Sequence, residues 1–263
     1  MKTSYLMTYR ESGSPARLRN LEAVLATLAL QPELEVIVVE QDSVARLDAD
    51  TLQGARGVFV YNPGPFNKSW GLNVAARAAS SPHLIFGDAD VLLPDGLAAT
   101  LALLAQGVMV VKPYRRLFDL TATQTDALDE GQLPDAATLA AQPGDRAVLG
   151  EHLVLCGGVF GIQAHYFAGI GGWDERFVGW GGEDDALTMK IQRLRPSVHE
   201  VNALALHLHH PRAAAAHPHY ASNLALLDQY RQLPDVVLLR LFELQKQMAG
   251  NPAKYSPPDL RGV

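Results

Sequence analysis

The first 112 residues alternate between short runs of β-forming residues and longer stretches with helical periodicity. The predicted strands are residues 4–8, 35–39, 57–61, 83–86 and 108–111. The predicted helices between them are residues 16–30, 43–53 and 68–79. Strands that alternate with helices in this way are typical of an α/β domain whose central sheet is mostly parallel. The pattern therefore predicts a Rossmann-like sheet flanked by helices.

Polar side chains follow the first four predicted strands directly. They are Tyr9-Arg10, Glu40-Gln41-Asp42, Asn62 and Asp88-Ala89-Asp90. Ligands of open α/β sheets bind beyond the carboxyl ends of the strands, so we expect these side chains to converge on one crevice. The sequence predicts a nucleotide site there.

Beyond residue 112 the pattern changes. Residues 115–146 are polar, acidic and rich in Ala, Thr and Gln, and we expect a mobile excursion with one short helix at residues 135–141. Regular structure is predicted to resume with strands 153–162, 198–201 and 203–208 and helices 164–170, 183–194, 214–230 and 235–248. We expect one domain, 1–263, with a nucleotide-binding half 1–112, an insertion 113–150, a second half 151–212, and C-terminal helices 213–263.

Charge and cysteine content exclude several classes of protein. The net charge is -6, and no cluster of Lys and Arg is present to neutralise nucleic-acid phosphates. Cys156 is the only cysteine, so no intrachain disulfide can form. The first residues lack the apolar core of a signal peptide, and no apolar run reaches the ~18 residues of a membrane span. We expect a cytoplasmic protein without nucleic-acid partners.

Residues 177–185, Phe-Val-Gly-Trp-Gly-Gly-Glu-Asp-Asp, bring three consecutive carboxylates to the start of a predicted helix. Acidic residues in a first helical turn are favoured by the macrodipole, but three exceed that need. Asp184 shares a helix face with Leu187 and Ile191, so it should point inward as a candidate general base. Asp185 lies on another face.

Two further clusters have the residue types of metal ligands. The Asp-Ala-Asp at residues 88–90 can hold a divalent cation on the phosphates of a nucleotide-sugar, although such pairs also serve turns and helix caps. In His-Leu-His-His at residues 207–210, strand alternation places His207 and His209 on one face, as two imidazole ligands require. A structural or exposed role for these histidines is the alternative. A zinc site with Cys156 would lack the usual spacing.

The glycines do not form a phosphate loop. No Gly-Lys-Ser/Thr signature is present, and no Gly-x-Gly-x-x-Gly lies between the first strand and helix. These absences exclude an ATP-binding P-loop and an NAD-binding site of the usual type. The last predicted helix carries Val236, Val237, Leu239, Leu241, Phe242 and Leu244. These side chains are expected to pack on the domain or on a second subunit, as in a homodimer through the C-terminal helices.

In this order, the clusters resemble the β-1,4-galactosyltransferase family and its bacterial relatives among the GT-A glycosyltransferases. The resemblance covers residues 60–212 and rests on Phe66-Asn67-Lys68, Leu72-Asn73-Val74, Phe86-Gly87-Asp88-Ala89-Asp90, Gly157-Gly158-Val159, Gly171-Gly172-Trp173-Asp174, Gly179-Trp180-Gly181-Gly182-Glu183-Asp184-Asp185 and His207-Leu208-His209-His210-Pro211-Arg212. The first 45 residues resemble the broader family 2 glycosyltransferases, through Thr8-Tyr9-Arg10 and Val38-Val39-Glu40-Gln41-Asp42-Ser43.

The resemblance implies a GT-A fold, a UDP-sugar donor and a Mn²⁺ or Mg²⁺ cofactor. The donor-binding residues that it implies are Tyr9, Arg10, Glu40, Asp42, Asn67, Lys68, Asp88 and Trp180. The implied acceptor-binding residues are Trp180, Gly181, Glu183 and Asp185, and Asp184 would be the catalytic base. The implied metal ligands are Asp90, His207 and His209, with His210 as the alternative to His209.

These implications predict a metal-dependent, inverting glycosyltransferase. It would move a hexose, of the galactose or N-acetylhexosamine type, from a UDP-sugar to a hydroxyl of a glycan, a glycolipid or another acceptor. The alternative is a catalytically silent sugar- or nucleotide-sugar-binding protein of the same fold. A nucleotidyltransferase would need a glycine-rich, basic triphosphate loop near the first strand, and the sequence has none.

Overall fold

The computed structural model describes residues 2–129, 158–211 and 218–256, together with residues 134, 139 and 155. The strands are β1 (Thr3–Tyr9), β2 (Leu34–Asp42), β3 (Arg56–Tyr61), β4 (His83–Phe86), β5 (Val91–Leu92), β6 (Val110–Lys112), β7 (Arg116–Asp119), β8 (Phe160–Gln163), β9 (Val198–Glu200) and β10 (Leu204–His207). The helices are α1 (Pro15–Ala29), α2 (Ala49–Leu52), α3 (Lys68–Ala78), α4 (Gly96–Ala105), α5 (Ala122–Asp129), α6 (Ala164–Gly169), α7 (Glu183–Leu194), α8 (Tyr220–Gln232) and α9 (Asp235–Met248).

A seven-stranded central sheet has the order β3-β2-β1-β4-β8-β6-β9. The strands β3, β2, β1 and β4 run parallel to one another, and β9 is parallel to β6. Among the described strands of this sheet, β8 alone is antiparallel, to both β4 and β6. The sheet is therefore mostly parallel, as the sequence predicts, and the carboxyl ends of β1, β2 and β4 lie along one edge.

Hydrophobic side chains cover both faces of this sheet. Successive residues of a strand point to opposite faces, so Tyr5 and Met7 pack in one buried cluster with α1, while Leu6 packs in another with α3. Trp70 of α3 is fully buried in the second cluster. Helices thus cover both faces of the sheet, and the polar residues lie at the carboxyl ends of its parallel strands.

A second, three-stranded sheet has the order β5-β10-β7. In it β10 is antiparallel to β5 and parallel to β7. The register sets His207 opposite both Val91 and Asp119. The small sheet therefore brings together three segments of the chain: β5, which follows Asp90, the end of β7 at Asp119, and the end of β10 at His207.

Several elements agree closely with the sequence prediction, and others were missed. The strand 83–86 and the helices 183–194 and 235–248 have the predicted bounds. The prediction missed α4, β5, β7 and α5, of which β7 and α5 lie inside the expected excursion. The predicted helix 135–141, the start of the predicted strand at 153–162, Cys156 and residues 214–217 lie outside the described residues or largely so.

The C-terminal helix α9 packs through one side and exposes the other. Leu238 and Phe242 are buried, whereas Val236, Leu239, Leu244 and Met248 are at least half exposed. Among the described residues, no helix is long and apolar enough to cross a membrane. The homodimer through these helices stays a prediction.

Candidate active site

The carboxyl end of β4 places Asp88 above the centre of the sheet. The Gly87 N–H donates to the Leu6 carbonyl at 3.0 Å, and a Cβ at Gly87 would lie 2.3 Å from the Tyr5 hydroxyl. A glycine is therefore needed for the chain to turn here without displacing Tyr5. Burial raises the pKa of Asp88, and the nearby Lys68 opposes that rise.

Lys68 connects Asp88 to Asp184. Its Nζ lies 2.8 Å from Asp88 Oδ1, and 3.2 Å and 3.4 Å from the two carboxylate oxygens of Asp184. Burial lowers the pKa of Lys68, but Asp184 and Asp88 together hold it well above its ordinary value. A charged ammonium thus lies between two carboxylates that are distant in the sequence.

Asn67 fixes the position of Lys68. It is the N-cap of α3, and its side-chain oxygen accepts from the Trp70 N–H at 2.8 Å. Its amide nitrogen donates to the Glu175 carbonyl at 2.8 Å. Asn67 is 2 % exposed, so in this structure it positions the helix start, and its predicted contact with the donor stays a prediction.

Asp184 stands in the first turn of α7, next to the glycine loop. Gly182 is the N-cap with φ of 90°, and a Cβ there would lie 2.8 Å from the Phe177 ring. A glycine is therefore required where the loop enters the helix. Leu187 and Ile191 are buried, and the carboxylate of Asp184 faces Lys68. The inward direction that the helical spacing predicts is the one found.

Glu183 is buried beside Asp184. One of its carboxylate oxygens accepts from the Gly181 N–H at 3.0 Å. Burial, together with the charge of Asp184, raises the pKa of Glu183 to about 7. Asp185 is half-buried in the same helical turn. The three acids therefore have different surroundings, although they are adjacent in the sequence.

The loop that carries Trp180 is held by α8. Asn223 donates to the carbonyls of Val178 at 3.0 Å and Trp180 at 3.2 Å, and accepts from the Val178 N–H at 3.4 Å. The Trp180 indole is 57 % exposed and stacks on Tyr220, with ring centroids 5.3 Å apart. The loop thus presents a flat aromatic surface beside the acids, which suits contact with a sugar ring.

Asp90, His207 and His210 form a cluster of potential metal ligands. Their ligand atoms all lie within 4.8 Å of one another. Asp90 Oδ1 is 3.7 Å from His207 Nε2, and its Oδ2 is 3.2 Å from His210 Nε2. Burial raises the pKa of Asp90, but the hydrogen bond from His210 and the two imidazoles lower it overall. One carboxylate and two imidazoles can hold a divalent cation.

The structure places His210 in this cluster, and not His209, which the strand alternation favoured. His209 is exposed; its N–H donates to the Thr125 hydroxyl at 2.9 Å and its carbonyl accepts from Asn20 at 3.2 Å. The reason is that β10 ends at His207, so the alternation of side chains does not continue to residue 209. The alternative, His210, is the residue that reaches Asp90.

The predicted donor residues at the ends of β1 and β2 hold the neighbouring loops. Arg10 donates to the carbonyls of Gln41 at 2.7 Å, Gly64 at 2.6 Å and Asn62 at 2.5 Å. Its guanidinium thus joins the end of β2 to the loop after β3. The structure brings Arg10 to the predicted edge, and its predicted contact with phosphate stays a prediction.

Tyr9, Glu40 and Asp42 lie at the same edge. The Tyr9 hydroxyl donates to Glu11 at 3.1 Å, and the Glu40 carboxylate accepts from the Arg46 N–H at 2.8 Å. The Asp42 carboxylate accepts from the Ser43 N–H at 2.7 Å. These contacts shape the rim of the crevice beyond β1 and β2.

Two residues of the site were missed by the sequence reasoning. Asp119 lies 2.8 Å from His207 Nδ1, and Asn223 holds the Trp180 loop. The sequence gives no clear signal for Asp119, because only two apolar residues, Leu117 and Phe118, precede it. No sequence signal marks Asn223 in its polar helix.

Two family models match the chain. The model described as glycosyl transferase family 2 matches residues 6–163, and the model described as N-terminal domain of galactosyltransferase matches residues 152–213. The first match contains Lys68, Asp88 and Asp90, and the second contains Asp184 and the two histidines of the cluster. A search of curated proteins found no match.

Several solved structures are similar to the chain. Glucosyl-3-phosphoglycerate synthase from Mycobacterium tuberculosis has a TM-score of 0.51 at 17 % identity, over 93 % of this chain and 78 % of that chain. GalNAc-T7 has a TM-score of 0.54 at 13 % identity, over 88 % of this chain and 50 % of that chain, so the chain spans half its length. Drosophila β1,4-galactosyltransferase 7 has a TM-score of 0.47 at 17 % identity, over 80 % and 71 % of the two chains.

The fold and the family match agree. The chain has a mostly parallel central sheet flanked by helices, and its structural neighbours are GT-A glycosyltransferases. The family 2 match covers more than half of the 263 residues. The chain therefore belongs to glycosyl transferase family 2 and is a glycosyltransferase with a GT-A fold.

Proposed function

We propose that this protein is a metal-dependent, inverting glycosyltransferase that moves a hexose from a UDP-sugar to an acceptor hydroxyl, with Asp184 as the general base. The hexose is of the galactose or N-acetylhexosamine type, and the acceptor is a glycan, a glycolipid or another hydroxyl compound. The observation that carries the proposal is the contact of Lys68 with both Asp88 and Asp184. It joins the candidate base to the carboxyl end of β4, where the donor is expected.

The residues of the histidine cluster fit a divalent cation. Asp90, His207 and His210 would hold Mn²⁺ rather than Mg²⁺, because two of the three ligand atoms are imidazole nitrogens and all three lie within 4.8 Å of one another. A cation bound there supplies positive charge that offsets the charge of the leaving diphosphate. GalNAc-T7 and the mycobacterial synthase were both solved with UDP and Mn²⁺, which supports this choice of donor and metal.

Asp184 accepts the proton of the acceptor hydroxyl in this proposal. Its carboxylate is held at the start of α7 with limited exposure, so it has few conformations to lose when an acceptor binds. Inversion requires one base, because the acceptor oxygen attacks the anomeric carbon from the face opposite the leaving diphosphate. Lys68 and the acceptor hydroxyl then share the same carboxylate.

Trp180, Gly181, Glu183 and Asp185 are proposed to bind the sugars. The exposed indole of Trp180 offers an apolar surface for one face of a pyranose ring. Glu183, with its pKa raised to about 7, can either donate or accept a hydrogen bond near neutral pH.

The variant Asp184→Asn tests the proposed base. We expect it to bind UDP-sugar as the native protein does, and to lower turnover by ~10² or more, because an amide cannot accept the proton. Donor binding is measured by calorimetry with Mn²⁺, and turnover by UDP release over a panel of UDP-sugars and acceptors. Near-normal turnover in this variant would contradict the assignment.

Asp228→Asn is the matched control. Asp228 is an exposed carboxylate on α8 that pairs with Arg231 in the same helix, so its replacement makes the same chemical change outside the site. It should leave both turnover and donor binding unchanged. If both variants lost turnover equally, the loss would not report on a base.

A further inference from the structure

His207 makes contacts through both of its ring nitrogens. Nε2 lies 3.7 Å from Asp90 Oδ1, on the side of the metal-ligand cluster, and Nδ1 lies 2.8 Å from Asp119 Oδ1. A carboxylate can only accept a hydrogen bond, so the contact with Asp119 requires the hydrogen to be on Nδ1. In a neutral imidazole this leaves the lone pair on Nε2, which points towards the cluster.

The fold builds this contact through strand register. The parallel strands β7 and β10 set Asp119 directly opposite His207, and the Leu120 N–H donates to the His207 carbonyl at 2.9 Å. On the other side of β10, the Leu208 N–H donates to the Asp90 carbonyl at 2.8 Å. Backbone hydrogen bonds therefore hold Asp119 on one side of β10 and Asp90 on the other.

Asp119 is placed to orient a ligand, and it is not placed to be one. The two nitrogens of an imidazole point away from each other, so a group on Nδ1 lies on the far side of the ring from a cation on Nε2. Among the described residues, the group that could hold a metal contains Asp90, His207 and His210 and excludes Asp119. The hydrogen bond fixes which nitrogen is available and the direction in which it points.

We propose that Asp119 is a positioning residue of the metal centre: it accepts from Nδ1 of His207 and so presents Nε2 as a ligand. This inference rests on the proposed function, since it concerns the same cation. A carboxylate behind a metal-bound histidine fixes the ring and makes the imidazole a stronger ligand, and its loss costs ~10 to 100-fold in metal affinity. Asp119 therefore acts on the cation through His207.

The test measures Mn²⁺ binding to the purified full chain by electron paramagnetic resonance, in the absence of a UDP-sugar donor. Asp119→Ala should weaken binding by ~10 to 100-fold. Asp119→Asn should lie between this variant and the native protein, because the amide oxygen still accepts from Nδ1 without the negative charge. The ¹⁵N chemical shifts of His207 should show Nδ1 protonated in the native protein and a mixture of tautomers in Asp119→Ala.

Asp126→Asn is the matched control for the same segment of chain. Asp126 lies on α5, is 61 % exposed and pairs with Arg19, so its loss removes a carboxylate that is separate from the cluster. Its Mn²⁺ affinity should equal that of the native protein. Thermal unfolding shows whether each variant is folded. If Asp119→Ala does not fold, the Mn²⁺ affinity of Asp119→Asn is compared with that of the native protein.

Three histidine variants separate this inference from the proposed function. His207→Ala and His210→Ala should lose Mn²⁺ binding, whereas His209→Ala should keep it. If both Asp119 variants bound Mn²⁺ with native affinity while His207→Ala lost binding, the role of Asp119 would be overturned and the metal site would stay in place. Native affinity in His207→Ala and His210→Ala would overturn the metal site itself, and the inference with it.

Discussion

At the scale of single residues, Lys68 is the side chain on which the site depends most. One ammonium compensates two carboxylates, Asp88 and Asp184, that lie on different elements. The side chains of all three residues are at least three-quarters buried, so solvent screens their interaction only weakly. Removal of the ammonium would leave two like charges that repel each other across the crevice.

Replacement of Lys68 by Met should lower the free energy of unfolding by ~3 kcal/mol, because the two largely buried carboxylates that face Lys68 lose the positive charge of its ammonium. The double variant Lys68→Met with Asp184→Asn should recover part of the loss, since one of the facing charges is gone. Urea unfolding at neutral pH gives the coupling energy, expected to be ~1 to 3 kcal/mol.

Lys254→Met provides the comparison for that experiment. Lys254 pairs with one carboxylate, Glu175, at 3.1 Å, and is 30 % exposed. Its replacement should cost less than ~1 kcal/mol, as for a partly exposed pair. If the effects of Lys68→Met and Asp184→Asn on the free energy of unfolding were additive, the two side chains would not stabilise each other.

The direction of Asp184 was predictable, and the choice of histidine was not. A helix has a fixed period, so the spacing from Asp184 to Leu187 and Ile191 gives its direction once the helix is known. The choice between His209 and His210 depends on where β10 ends, and strand ends are set by pairing with distant segments. For that reason the alternation could not show that His210 is the histidine that lies near Asp90.

At the scale of elements, the glycine loop is held from two sides. The Gly179 N–H donates to the Phe66 carbonyl at 2.8 Å, next to the start of α3, and Asn223 binds the loop from α8. The three glycines 179, 181 and 182 all have positive φ, so the loop has little intrinsic preference for the conformation found. Its shape depends on these external hydrogen bonds.

The variant Asn223→Ala should therefore raise the KM for acceptor several-fold and leave the affinity for donor nearly unchanged. The four proposed acceptor residues lie in this loop or directly after it, whereas Trp180 is the one proposed donor residue that the loop carries, and the other seven lie elsewhere. Initial rates over a matrix of donor and acceptor concentrations separate the two effects. Ser222→Ala, which removes a neighbouring hydroxyl bound to the His219 carbonyl, is the control and should behave as native. An unchanged acceptor KM in Asn223→Ala would show that the loop keeps its shape alone.

Elements whose pattern is local were predicted, and those that depend on tertiary contacts were missed. The strands β1 to β4 are apolar runs followed by polar residues, and their bounds differ from the prediction by few residues. The helix α4, Gly-Leu-Ala-Ala-Thr-Leu-Ala-Leu-Leu-Ala, has no polar face and so no amphipathic period. The strands β5 and β7 are too short to show alternation, and they exist because β10 pairs with both.

At the scale of the whole molecule, Lys190 joins three separate parts of the chain. It lies on α7, is fully buried, and donates to the Gly172 carbonyl at 2.7 Å and to the Gln245 side chain of α9 at 2.5 Å. Burial lowers the pKa of Lys190 to about 7, with Asp174 acting in the opposite direction. The helix that carries the acids is thus tied to the C-terminal helix through an amine.

This buried amine should make stability depend on pH. Between pH 7 and about 10.5, the unfolded chain binds a proton at Lys190 that the folded chain does not bind, so the free energy of unfolding rises with pH. The rise is at most roughly 1.4 kcal/mol per pH unit. Below pH 7 both states bind the proton, and this dependence disappears.

Lys190→Met isolates that contribution. We expect the stability of the native protein, relative to this variant, to increase from pH 7 to pH 10 in urea unfolding experiments. The difference between the two proteins cancels the titration of the tyrosines, which both contain. A difference that does not change with pH would show that Lys190 keeps its proton in the folded protein.

The small sheet also has a consequence for protein engineering. Its outer strands β5 and β7 come from the segment that matches the family 2 model, and its central strand β10 comes from the segment that matches the galactosyltransferase model. A chimera that exchanges one of these segments with a relative would replace half of a hydrogen-bonded ladder and leave the other half. Designers who recombine such enzymes to change their sugar should therefore move Val91–Leu92, Arg116–Asp119 and Leu204–His207 together.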